Sequence, residues 1–339
     1  MPGSKSKDRL TSPELANLWT QYMNDSMSIC VITYLLKHCD DQKIKSILKR
    51  AVDLSESHIK KIKTFLKGEE YPIPKGFTKE DVNLDAPSLF TDNLILIYMQ
   101  VMTLHGMNSY SLCMSTSIRS DQRKYYAQCI SDTSDLYDSL LELMLEKGIL
   151  SKPPVLNPPY QADIIKDQDY LAGWFGKKRP LNAIEISGLH YNMKKTIVKV
   201  VLEIAFGQVT KSKELRAYFK RGVKICEKQL KEMGTLLQED HLPVPKSWQA
   251  EVTNSTKAPF SDKLMLFHVV GLVAVAIGYY GAALSAAQRR DLIFKYTKLI
   301  GEIGLYAEDG VNIMIRNGWL EKPPMVDDRD RLANQNSKE

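Results

Sequence analysis

Read at helical spacing, positions 215, 219, 222, 226, 230, 233 and 237 are Leu, Phe, Gly, Cys, Leu, Met and Leu; 171 positions earlier stand Ile44, Leu48, Ala51, Ser55, Ile59, Ile62 and Leu66. Steps of four and three place every member on one face of an α-helix, a period no strand can keep. The preceding segments repeat in the same way, with Leu15, Leu18, Tyr22, Ile29 and Leu36 against Ile186, Leu189, Met193, Val200 and Gly207. The pattern predicts helices at 12–38, 42–67, 90–117 and 121–147, and again at 183–209, 213–238, 261–287 and 291–317. Each fourth helix should stop at a glycine followed by an apolar residue, Gly148-Ile149 and Gly318-Trp319, the mark of a left-handed cap with its hydrophobic contact. Pro153-Pro154 and Pro323-Pro324 then prevent the helix from resuming.

The two sets of four are copies of one unit. Pro72-Ile73-Pro74-Lys75 recurs as Pro243-Val244-Pro245-Lys246 at a shift of 171, and Phe90-Thr91-Asp92 recurs as Phe260-Ser261-Asp262 at 170. A slip of one residue inside a loop is what two diverged copies of a domain should show. The first-to-second and third-to-fourth helix links are a few residues long, which forces antiparallel neighbours, whereas the second-to-third link is long enough to return along the bundle. The expected fold is therefore all-α, a tandem duplication of a ferritin-like four-helix bundle with a long second-to-third helix crossover. Its boundaries read as a flexible tail at 1–9, the first bundle at 10–157, a linker at 158–180, the second bundle at 181–327 and a flexible tail at 328–339.

Composition agrees: 44% hydrophobic and 25% charged residues describe a globular chain, and 18 glycines and 15 prolines among 339 residues are few for a sheet protein rich in tight turns. Five cysteines, Cys30, Cys39, Cys113, Cys129 and Cys226, are odd in number and hold no Cys-x-x-Cys pair, so neither a disulfide framework nor a thiolate zinc site is expected. With a polar, charged N-terminus in place of a signal core, the chain reads as cytoplasmic.

Ferritin-like bundles commonly hold two metals between glutamates on two helices and a Glu-x-x-His on each of the others. Here the third helices contain no carboxylate between Asp92 and Arg119 or between Asp262 and Asp291, and the fourth helices contain no histidine. Glu56 and Glu227 recur, but three residues on stand Ile59 and Leu230, while Lys60 and Lys231 lie four on, so both glutamates are expected in surface ion pairs. Glu14 and Glu185 recur at helix starts, where a carboxylate favours the positive end of the dipole. His58 has Gln229 as its counterpart, and none of the six histidines is shared by the copies; His105 and His268 are expected as core histidines. No phosphate loop or nucleophile elbow is present. The expectation is no catalytic residue, no metal ligand and no cofactor, with di-iron and di-manganese centres disfavoured.

From Leu264 to Gln288 the chain carries no charge, which fits a membrane span in length, but the counterpart from Asn93 to Ile118 holds Gln100, His105, Asn108 and several serines. Both are therefore expected as buried helices, with no membrane span. Gly271, Ala274, Gly278, Gly281 and Ser285 form a stripe of small residues, expected to pack one bundle on the other or one subunit on its twin. The second helices are basic in both copies but lack interleaved aromatics, so a solvated face is expected and nucleic acid is not. Trp174-Phe175 is expected to dock the linker onto the bundles.

Gly173-Trp174-Phe175-Gly176 with Arg179-Pro180-Leu181, the run Pro259 to Met265, and Asp309-Gly310 through Asn317-Gly318-Trp319-Leu320-Glu321 to Pro323-Pro324 resemble an uncharacterised family of Bacillus and related spore-formers. The resemblance covers nearly the whole chain. It implies a tandem ferritin-like fold, a spore or spore-coat association carried in some members' labels, and no catalytic residues to transfer. Together these readings point to a non-catalytic structural or interaction protein with protein partners or self-association; the alternative is a metal-binding or redox bundle with an atypical ligand set.

Overall fold

The computed structural model describes residues 9–173 and 178–336. Eight long helices carry the fold: α1 Ser12–His38, α2 Gln42–Gly68, α3 Asp92–Thr116, α4 Ser120–Glu146, α5 Ala183–Val209, α6 Lys213–Glu239, α7 Asp262–Ala286 and α8 Arg290–Arg316. All lie within two residues of the expected bounds, and the chain is all-α, with no strand among the described residues beyond isolated bridges. Capping side chains set the starts: Asp41 accepts from Lys43 and Ile44, Ser212 from Leu215, Thr91 from Leu94 and Ser261 from Leu264. Gly148 and Gly318 sit at φ 65° and 68°, and the next residue in each, Ile149 or Trp319, bonds back to Met144 or Met314. A β-carbon at either φ would be strained, so the caps need glycine.

Within each repeat, α1–α2 and α3–α4, then α5–α6 and α7–α8, form closely packed antiparallel hairpins, and the hairpins lie against each other to make a four-helix unit. The crossovers, residues 69–91 and 240–261, return along the unit; the second is one residue shorter, which is the slip seen in the sequence. Where a loose C-terminal tail was expected, Asp328 caps a short exposed helix, α9 Arg329–Asn336, by accepting the Arg331 N–H. Trp174 and Phe175 lie outside the described residues, as does all of the N-terminal tail except Arg9.

The two crossovers join the units. Val82 bridges Phe260 and Phe90 bridges Val252, both antiparallel, and each pair is the other shifted by 170. Asn83 donates to Pro259 at 2.7 Å and Thr253 to Leu89 at 3.0 Å; Ser261 donates to Asp81 at 2.9 Å and Thr91 to Glu251 at 3.2 Å. Side chains repeat the exchange, Ser261 Oγ to Asp81 and Thr91 Oγ1 to Glu251. Each of these contacts has its mirror, so the units are related by a pseudo-twofold axis, the arrangement of an isologous dimer within one chain. Around the axis Leu35, Leu94 and Tyr98 of the first unit pack with Phe206, Leu202 and His268 of the second, and one continuous apolar core runs through both.

Candidate functional site

The first unit has two apolar clusters rather than one. Leu15, Leu18, Tyr22, Ile62, Phe65 and Leu66 pack near one end, apart from the core shared with the second unit. Along α2 the sequence passes from Ala51 in one cluster to Ile62 in the other through Ser55 and His58, both buried. Facing this step are Gln21 and Asp25 of α1 and Gln122, Tyr126 and Cys129 of α4, also buried. A polar layer thus crosses the bundle interior.

The layer is under-bonded. Both amide atoms of Gln21 and of Gln122, His58 Nε2 and the hydroxyls of Tyr125 and Tyr126 are buried without a hydrogen-bond partner. Leaving such a group unpaired costs about 1–3 kcal/mol, so a cluster of them marks a place that suits a polar guest. Asp25 Oδ2 lies 3.3 Å from His58 Nδ1, with both side chains 7% exposed. Burial alone would lower the His58 pKa, but Asp25 and then Cys129 beside the ring outweigh it and push it up to about 10. Nearby, burial pushes the Cys113 thiol up to about 11 and raises the Tyr126 phenol.

At the matching depth most of the second unit's polar groups bond each other, although the Tyr296 hydroxyl and Lys195 Nζ are buried without a hydrogen-bond partner. Thr196 stands for Asp25, Gln229 for His58 and Leu299 for Cys129. Tyr280 donates to Gln229 at 2.9 Å and meets Thr196 at 3.2 Å, while Gln229 donates to Glu302 at 3.2 Å. Nearer the axis, Tyr306 donates to Glu203 at 3.0 Å and Cys226 Sγ lies 3.7 Å from the other carboxylate oxygen. Burial raises Glu203 to about 7 against the pull of Lys199, while Glu203 and Cys226 hold Lys199 charged despite its burial. This network satisfies its own members, and Gly222 leaves it room, since a β-carbon there would run into Glu203 and Tyr306.

Glu14 and Glu185 do more than face a dipole. Glu14 accepts from Thr11 at its own helix start and from Ile118 and Arg119 at 2.9 and 2.7 Å, tying α1 to the α3–α4 turn. Glu185 does the same with Asn182, Gln288 and Arg289, and also takes both guanidinium arms of Arg179 at 2.8 Å. Burial opposes ionisation in each, but these donors win and both pKa values fall below the usual range.

Other expectations resolve differently. Glu56 is exposed, but among the described residues it forms no ion pair with Lys60, and Glu227 accepts from Gln249 instead; on an exposed helix face a long lysine gains little by being fixed. His268 is a core histidine, with Nε2 3.3 Å from the Tyr98 hydroxyl, and burial lowers it to about 4; His105 is lowered to about 3 for the same reason. The third helices do meet, at Tyr98 with His268 and further along at His105 and Asn108 with Tyr279. Gly271, Gly278 and Gly281 have no atom within 4 Å of an added β-carbon, and Ala274 and Ser285 are exposed, so the stripe does not join the units. Among the described residues only α7 is long and apolar enough to cross a membrane by length and composition, yet Leu264, Met265, Leu266, Val269, Leu272 and Val273 are buried in the core, so no clear span stands out. Among the same residues no three His, Cys, Asp or Glu side chains are placed to hold a metal ion.

Agreement between the repeats does not mark the polar layer, because Asp25, His58 and Cys129 are replaced by Thr196, Gln229 and Leu299 in the second unit. A signal existed: three ionisable residue types in one unit at positions that carry Thr, Gln and Leu in the other.

A family described as a protein of unknown function, DUF3231, matches residues 2–161 and 169–332, one match to each repeat. The uncharacterized protein YvdQ of Bacillus subtilis strain 168 is 23% identical over 159 residues, which is 46% of this chain and 94% of that protein. A solved structure from Bacillus halodurans C-125, provisionally described as a spore coat protein, is 19% identical and covers 45% of this chain and 98% of its own, with a TM-score of 0.41. With both repeats matched over most of its length, the chain belongs to the DUF3231 family.

Proposed function

We propose that the chain is a non-catalytic structural or interaction protein, two fused four-helix units of ferritin-like topology that offer an apolar helix face to a second copy of the chain. The observation that supports this reading is the second half of α7. It has no charge, its small residues Gly271, Ala274, Gly278, Gly281 and Ser285 face open space, and beside it runs a groove of about 450 Å³ lined by Ala183, Gly188, Tyr191, Tyr279 and Ala283. Small residues let another helix backbone approach closely, and charge-free surface gains by leaving water. Sedimentation of the native chain beside Gly278→Leu tests it. Association of the first and its loss in the second, at unchanged helicity, supports the reading; a native chain that stays monomeric at tens of micromolar refutes it.

A spore association is the setting that the family resemblance implies, and the position of a tagged copy during sporulation tests it. The second reading, a metal-binding or redox bundle with an atypical ligand set, is favoured by the under-bonded layer of the first unit. Stoichiometric iron or manganese in protein purified without chelator would put it first.

A further inference from the structure

The polar layer of the first unit brings together Asp25, His58 and Cys129 from three different helices. Cys129 is 1% exposed, yet it does not sit among aliphatic neighbours alone: it lies beside the His58 ring, which is itself paired with Asp25 at 3.3 Å. A thiol next to an imidazole that a carboxylate orients is the constellation of an activated sulfur nucleophile. The surrounding Gln21, Gln122, Tyr125 and Tyr126 point unpaired donors and acceptors into the same layer. Those groups suit a guest that both donates and accepts hydrogen bonds, and the tight apolar clusters on either side limit it to a few atoms.

We propose that Cys129 is a peroxide-reactive thiol, and that the layer around it binds hydrogen peroxide as that small polar guest. In the reaction Cys129 Sγ attacks one peroxide oxygen, the S–O bond forms as the O–O bond breaks, and the sulfur is oxidised to sulfenic acid while the peroxide is reduced to water. His58 takes up the thiol proton and passes one to the departing hydroxide, so one thiol and one peroxide yield one sulfenic acid and one water. Asp25 is a positioning residue that holds the imidazole. Cys226 supplies an internal contrast: it is fully buried as well, but in a network whose members bond each other, and it should not react. The inference does not depend on self-association through α7.

The full chain is treated with hydrogen peroxide for timed intervals, the peroxide is removed, the chain is unfolded in denaturant containing dimedone, and the adduct on each cysteine is followed by peptide mass spectrometry. Cys129 is expected to label at least about tenfold faster than Cys226, and His58→Gln to slow Cys129 by about tenfold or more, the scale of lost proton transfer. Gln occupies the matching position in the second unit, so this variant should fold; Asp25→Thr, also the second unit's residue, provides the check if it does not. Labelling at the more accessible Cys113 in place of Cys129, equal labelling of Cys129 and Cys226, or a Cys129 rate unmoved in whichever variant folds would each overturn the proposal.

Discussion

Tyr98 and His268 hold the same position in the two repeats, 170 residues apart, and they touch each other, hydroxyl oxygen to Nε2 at 3.3 Å in the buried core. A residue that meets its own counterpart lies on the axis relating the units. Tyr98→Phe removes this one contact and should cost about 1 kcal/mol in denaturant unfolding, with both units affected together because the core is continuous. Unfolding in two separate steps would show that the axis does not couple them.

The histidines give stability opposite slopes on the two sides of neutral pH. His268 is held near 4 and His105 near 3, so between those values and about 6.5 the unfolded chain binds more protons; their contribution is complete above about 6.5 and lost as pH falls. His58 is raised to about 10, so its contribution is complete below about 6.5 and lost as pH rises toward 10. Urea unfolding at pH 4.5, 7 and 9.5 reads these slopes against the histidine variants; on the alkaline side buried Lys195, lowered to about 5, works in the opposite sense to His58. His58→Gln should flatten the alkaline side alone, and His268→Gln the acid side alone.

Two glycines in helix interiors should respond to alanine in opposite directions. At Gly222 the added methyl meets Glu203 and Tyr306 in the packed network, and Gly222→Ala should destabilise by about 1–3 kcal/mol. At Gly278 nothing lies within 4 Å, and Gly278→Ala should stabilise the monomer by nearly 1 kcal/mol through helix propensity. Thermal melts of the two variants read the sign directly.

Glu185→Ala should be more damaging than Glu14→Ala. Both remove acceptors for two amides of a turn, but only the first strands a mostly buried arginine, Arg179, whose guanidinium is 14% exposed. Loss of one partner from such a pair costs about 3–5 kcal/mol, against about 1–3 for unpaired amides. Denaturation midpoints at equal slope would separate them.

Much of this was legible beforehand because it is written locally. Apolar steps of three and four gave the helices, Gly148 and Gly318 gave their ends, and the shift from 171 to 170 located the slip inside the crossover. Contacts between units left no such trace: Asn83, Thr91, Thr253 and Ser261 use backbone groups, which any sequence carries. The buried ionisable groups were hidden for another reason. Asp25 lies on a helix buried on most sides, where polar spacing no longer marks a solvent face, and Lys199 and Glu203 stand four residues apart, the spacing of an ordinary exposed ion pair. The small-residue stripe was visible, but what it would meet was not, since openness is a property of the neighbours.

The central structural claim is that the two units form one twofold body, and amide hydrogen exchange tests that most directly. The four amides that cross between the loops, Asn83 with Thr253 and Thr91 with Ser261, should exchange slowly, with the two members of each pair protected alike and all four tracking global unfolding. Fast exchange at these amides while the helix interiors stay protected would contradict the account, because the units would then be joined by the linker alone.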